Sequence, residues 1–90
     1  MIGEFVLIRT RSAGVHCGTL KESHGTAVLL HDAYRVWRWR GANSLHELSL
    51  HGAATEWTRS SEPVPVILLT EAVEVIPCSK KAKTNLTQVR

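Results

Sequence analysis

Ala33-Tyr-Arg-Val-Trp-Arg-Trp-Arg40 gathers two of the chain's three tryptophans and three of its seven arginines into eight residues. As a strand it sets Arg35, Trp37 and Trp39 on one face and Tyr34, Val36, Arg38 and Arg40 on the other. One face then carries large aromatic area and the other two cations beside a Tyr-Val pair. A half-buried strand normally alternates apolar with small polar residues, so this stretch is expected to be where core, partner surface and ligand meet. Upstream, Thr26 to Leu30 continues the same strand, and His31-Asp32 between the two halves reads as a bulge that shifts the faces by one residue.

The preceding residues supply its neighbours. Glu4 to Thr10 is rich in strand formers, and Val15 to Leu20 resumes an extended pattern after a polar break. Gly14 and Gly18 flank His16, and glycine inside strand-like sequence points to a bulge or to close approach by another backbone or a ligand. Lys21 to Gly25 reads as a hairpin turn, Gly25 supplying the positive φ such turns need.

Downstream, Ser44-Leu-His-Glu47 has the form of a capping box, with Leu45 and Leu48 as an apolar pair and Gly52 placed as a stop, which predicts a short helix from Ser44 to His51. Thr55 to Ser60 alternates as a short edge strand would, and Pro63 and Pro65 favour an irregular or edge position. Val66 to Ile76 is a long apolar run interrupted by Glu71, expected as strand covered on both faces. Lys80 to Val89 is a basic tail with weak helical spacing at Ala82, Leu86 and Val89; three lysines oppose the dipole of such a helix, so it forms only with packing support.

Short connections favour antiparallel neighbours. The expected architecture is one α+β domain over residues 1–90, a small curved antiparallel sheet or partly open barrel of about five strands with one or two short helices, residues 80–90 forming a basic tail.

Ninety residues with 43% apolar and 21% charged content describe a small globular domain, for which self-association is one source of added stability. The net charge of +3 is carried mainly by arginine, which suits forked recognition of phosphate. Met1-Ile-Gly-Glu lacks a basic segment leading into a long apolar run, and no stretch approaches the roughly 20 apolar residues of a membrane span, so the cytoplasm is the expected compartment. Cys17 and Cys78 have no metal-type spacing; a disulfide between them stays open, with buried free thiols as the plainer reading.

The five histidines do not converge in sequence, the eight acidic residues show no paired pattern, and no serine or cysteine sits in a nucleophile elbow. Neither a metal site, a cofactor nor a catalytic centre is therefore expected. Interleaved aromatics and arginines instead suit nucleotides or single-stranded nucleic acid, because indole planes stack on bases and guanidinium forks hold phosphates. Stacking is assigned to Trp37, Trp39 or Trp57 and anion contacts to arginines among Arg11, Arg38, Arg40, Arg59 and Arg90, assisted by His16 and Asn85. The plainer alternative puts Trp37 and Trp39 in the core and the arginines in solvent.

The chain also resembles a group of small phage-encoded proteins of mostly uncharacterised function. Val6 to Thr10, Ser12 to His16, Gly18 to Leu20, Ala33 to Trp37 with Trp39, Gly41-Ala42, Ser44-Leu45, Ile67 to Ala72 and Ile76 to Cys78 carry the likeness along nearly the whole sequence. The layout is similar to the first Thoeris anti-defence family, whose members sequester cyclic signalling nucleotides. That resemblance implies a non-enzymatic sponge binding a cyclic ADP-ribose isomer or cyclic oligonucleotide between subunits of a homo-oligomer. No residue role comes from it. A nucleic-acid-binding β-barrel module and an inhibitor of a host protein are the alternatives.

Overall fold

A computed structural model describes residues 1–89. In chain order its elements are β1 (Phe5–Thr10), β2 (Val15–His24), β3 (Ala27–Arg38), α1 (Leu45–His51), β4 (Arg59–Ser60), β5 (Val64–Leu69), β6 (Ala72–Pro77) and α2 (Lys80–Leu86). All strand pairings are antiparallel, and the order is β4-β3-β2-β1-β6 with β5 also on β3. This is the expected small α+β fold, with six strands because Thr70-Glu71 divides the long apolar run in two. Only Arg59 and Ser60 of the alternating 55–60 segment pair as strand, and β2 continues through Lys21–His24, which shortens the expected hairpin turn.

β3 organises the sheet. β2 lines one of its edges, while β5 takes Val28–Ala33 and β4 takes Val36–Arg38 on the other. Such a strand must bend. Between the pairs Cys17–Tyr34 and Thr19–His31, β3 has one residue more than β2, and Asp32 has φ 51, so the bulge read at His31-Asp32 is present. A second shift, between Leu20 and Glu22, bends β2 alongside it.

Gly18 makes the first bulge possible. A Cβ there would lie 3.0 Å from both the Ala33 Cα and the His31 carbonyl oxygen, backbone atoms with no rotamer to escape into. Gly18→Ala is expected to cost about 1–3 kcal/mol, the usual range for overpacking a fitted site, measured as a lower denaturant midpoint with an unchanged slope.

The curled sheet has an inner and a helix-covered face. β1 is buried toward both: Val6 and Ile8 pack with Leu20, Val28, Leu30, Ala33, Leu69 and Ala72 inside, and Phe5 and Leu7 pack with Cys17, Val36, Leu48 and Leu86 beneath the helices. β5 and β6 are outer strands of the sheet, yet only Thr70-Glu71 joins them. The Ala72 amide donates to the Thr26 carbonyl and the Arg11 amide to the Glu71 carbonyl, each at 3.0 Å, so the two edges meet at a corner while the sheet stays open.

One expectation about the apolar run fails. Val66, Leu68 and Val73 are 53%, 60% and 52% exposed. The helices cover the sheet over β1, where Leu48 and Leu86 reach Phe5 and Leu7, and the outward residues of β5 have no second layer over them.

Both helices have the expected signals. The Ser44 hydroxyl accepts from the Glu47 amide, the Glu47 carboxylate accepts from the Asn43 amide, each at 3.2 Å, and Gly52 ends α1 with φ 75. α2 overcomes its unfavourable lysines through tertiary support. Ser79 caps it and donates to the Leu50 carbonyl, while Ala82, Leu86 and Val89 are buried. Cys17 and Cys78 are free thiols on the helix side of the core; burial raises both, Cys78 to about 11, so neither is a ready nucleophile at neutral pH. No helix among the described residues is long and apolar enough to cross a membrane.

Candidate functional site

The Trp-Arg stretch divides between core and surface differently from simple alternation. β3 ends at Arg38, and its pairing with β4 shifts register between Val36 and Arg38. Trp39 therefore turns partly back to the helix-side core, beside Tyr34 and Val36, while its remaining surface borders a hollow that Trp37 also lines. Trp37 is 58% exposed, so the plainer alternative that put it in the core with Trp39 does not hold for it. Trp37→Ala should leave the melting temperature nearly unchanged, whereas Trp39→Ala removes a packed indole and should cost about 2–4 kcal/mol; thermal denaturation of both variants checks the exchange of roles.

Around Trp37 the chain assembles a cationic, aromatic surface. The Arg38 Cζ lies 4.3 Å from the Trp57 ring centroid and 5.3 Å from that of Trp37, and the Arg40 Cζ lies 4.5 Å from Trp57. Arg38 Nε donates to the Trp57 carbonyl at 2.9 Å, and the Arg40 amide donates to Thr58 Oγ1 at 3.2 Å. Thr58 is fully buried, which anchors the Trp57 loop to the end of β3. Cation–π contacts of this kind contribute about 0.5–1 kcal/mol each at exposed sites. Their larger effect here is positional: the indole of Trp57 holds two guanidiniums side by side, and Trp37 leaves much of its ring exposed next to them.

Neither Arg38 nor Arg40 has a carboxylate within ion-pair distance among the described residues. Two like charges gathered on one indole repel each other, and a bound anion relieves that repulsion. Arg59 pairs with Arg38 across β4, but its Nη1 already donates to the carbonyls of Thr55 and Thr58, at 3.3 and 2.7 Å.

The other predicted residues lie apart from this cluster. Asn85 Oδ1 accepts from the Ala53 amide at 2.9 Å and its Nδ2 donates to the Ala53 carbonyl at 2.8 Å, a pairing that fastens α2 behind α1. Arg11 borders a hollow with Thr26, Glu71, Ala72 and Val73 at the corner where the sheet edges meet. Arg90 lies outside the described residues.

His16 is buried on the inner face directly across from Arg35, and its Nε2 donates to the Ala13 carbonyl at 2.9 Å. Burial lowers its pKa, against the raising effect of that hydrogen bond, and the Arg35 cation lowers it further. Arg35 was absent from the residues expected to bind. It lines one cavity of about 260 Å³ with His16, Tyr34, Ser61, Val64 and Ile67, and another of about 410 Å³ whose walls include Trp37 and Trp39. The cross-strand pairing of His16 with Arg35 is long-range, so nothing in the local spacing announced it. No cluster of three or more potential metal ligands occurs among the described residues.

Comparisons with curated proteins and with solved structures find no match. A family model described as a domain of unknown function, DUF6948, matches residues 3–86, from the start of the sheet to the end of α2. With nearly its whole length inside that match, the chain belongs to the DUF6948 family.

Proposed function

We propose that this protein binds a nucleotide through Trp37, Arg38, Arg40 and Trp57 and holds it without cleaving it. The observation that carries the reading is the pair of guanidiniums gathered on Trp57 without a carboxylate partner among the described residues, beside the exposed indole of Trp37. Stacking and forked phosphate contacts are the two interactions a nucleotide requires of a protein surface. In its finer form the ligand is a cyclic signalling nucleotide, a cyclic ADP-ribose isomer or a cyclic oligonucleotide, sequestered in the cytoplasm by a homo-oligomeric phage anti-defence protein; the sequence resemblance supports that form. Self-association has support in β5, an outer strand with exposed Val64, Val66 and Leu68.

Incubation with a cyclic ADP-ribose isomer followed by heat denaturation tests the reading. Intact nucleotide should be depleted from solution by the folded protein and recovered on heating; a linear product would make the protein an enzyme. The openness of the Trp-Arg surface favours a second reading, single-stranded nucleic acid. That ligand would bind more tightly as oligonucleotide length increases and lose affinity steeply with salt.

A further inference from the structure

We infer that the cleft between His16 and Arg35 is a sugar-phosphate subsite, in which Arg35 takes a phosphate and His16 Nδ1 accepts a hydrogen bond from a sugar hydroxyl. The inference rests on the nucleotide-binding reading above and adds to it a sugar contact and a further phosphate contact beside those of Arg38 and Arg40.

Three features converge there. First, the Ala13 carbonyl can only accept, so His16 carries its proton on Nε2 and leaves Nδ1 as an acceptor. His16 is only 2% exposed, Nδ1 has no protein partner among the described residues, and no polar side-chain atom there is both fully enclosed and unpaired. The space the ring borders is the 260 Å³ cavity, and an acceptor with no protein donor at the wall of a cavity fits a ligand hydroxyl.

Second, Arg35 stands directly across from His16 and has no ion-pair partner among the described residues. Its backbone is pinned on the β4 side, where its amide donates to Ser61 Oγ at 2.9 Å and its carbonyl accepts from the Ser61 amide at 2.8 Å. The cation is thus anchored at the cavity while its guanidinium remains available. Third, Arg35 also lines the hollow walled by Trp37. A nucleotide whose base lies on Trp37 therefore has a hydroxyl acceptor and a phosphate contact side by side on neighbouring strands of the same sheet. Val64 and Ile67 give the cleft apolar walls suited to the carbon side of a sugar ring.

The experiment uses ribose 5-phosphate and adenosine monophosphate on the intact protein, with binding followed by calorimetry and by the ring nitrogen resonances of His16 and the indole resonance of Trp37. Ribose 5-phosphate should shift the Nδ1 resonance, and Arg35→Gln should weaken its binding about tenfold, as expected when one charge-assisted hydrogen bond is removed. Trp37→Ala should leave ribose 5-phosphate binding unchanged while weakening adenosine monophosphate. If adenosine monophosphate moves only the Trp37 indole and Arg35→Gln binds it as tightly as the parent, the subsite is overturned and the nucleotide surface stands. If neither ligand moves either residue, both fail. Because Arg35 is exposed and its Ser61 contacts are made by the backbone, its substitution leaves the fold in place.

Discussion

Gly52→Ala is expected to remove about 3–5 kcal/mol of stability, a large fraction of what a domain of this size possesses. Gly52 has φ 75 and ψ −162, a region occupied almost only by glycine, and forcing another residue there costs of order 1–3 kcal/mol. An added Cβ would also lie 2.6 Å from Asn85 Cγ and Oδ1. Asn85 must then leave its two hydrogen bonds to Ala53, each a net contribution of about 0.5–1.5 kcal/mol. Those bonds hold α2 against the end of α1, so Leu86 is loosened as well. A double-mutant cycle separates the two costs: in an Asn85→Gly background, which also removes the Asn85 Cβ lying 2.7 Å from the added one, the Gly52→Ala penalty should shrink to its backbone part, about 1–3 kcal/mol. Additive penalties in chemical denaturation would show that Asn85 does not mediate the effect.

Replacing Arg38 and Arg40 together with alanine is expected to weaken nucleotide binding by at least about a hundredfold, since hydrogen bonds to charged groups contribute roughly 1.5–3 kcal/mol each. Stability should fall by only about 1–3 kcal/mol, the sum of the lost cation–π contacts and the Arg38–Trp57 hydrogen bond less the relieved repulsion, because β3 stays held by its ladders and by Val36. Arg59→Ala serves as the comparison: its Nη1 is committed to two carbonyls of its own loop, so binding should barely move. Calorimetric titration of both variants reads the contrast. Equal losses of affinity would transfer the anion site toward β4, and unchanged affinity in the double variant would remove the Trp57 surface from consideration.

Trp57 belongs to the same unit. Because both guanidiniums already lie over its ring, its contribution is to hold them. Trp37 is the indole left open, for a reason local spacing could not express: the register shift after Val36 sends Trp39 inward in its place.

Much of the fold was legible in the linear pattern because its causes are local. The Ser44 to Glu47 capping box, the stop at Gly52, the bulge at His31-Asp32 and the close approach at Gly18 depend on residues a few positions apart or on the steric freedom of glycine. Alternation in Glu4 to Thr10 likewise foretold strand, although burial on both its faces came from a helix pair and a curled hairpin far along the chain. The exposure of Val66 and Leu68 was hidden for the complementary reason: an apolar run records the chance of burial, while the number of layers over a strand depends on where distant helices dock.

The candidate site divides along the same line. Interleaved tryptophan and arginine in 33–40 already gathered aromatic and cationic side chains in one stretch, since side-chain chemistry is carried by the residues themselves. Which indole faces solvent, which arginines remain free, and the meeting of His16 with Arg35 all depend on strand register and long-range pairing. A one-residue shift reverses the face of every following side chain, so these features arise only when β2, β3 and β4 are in place together.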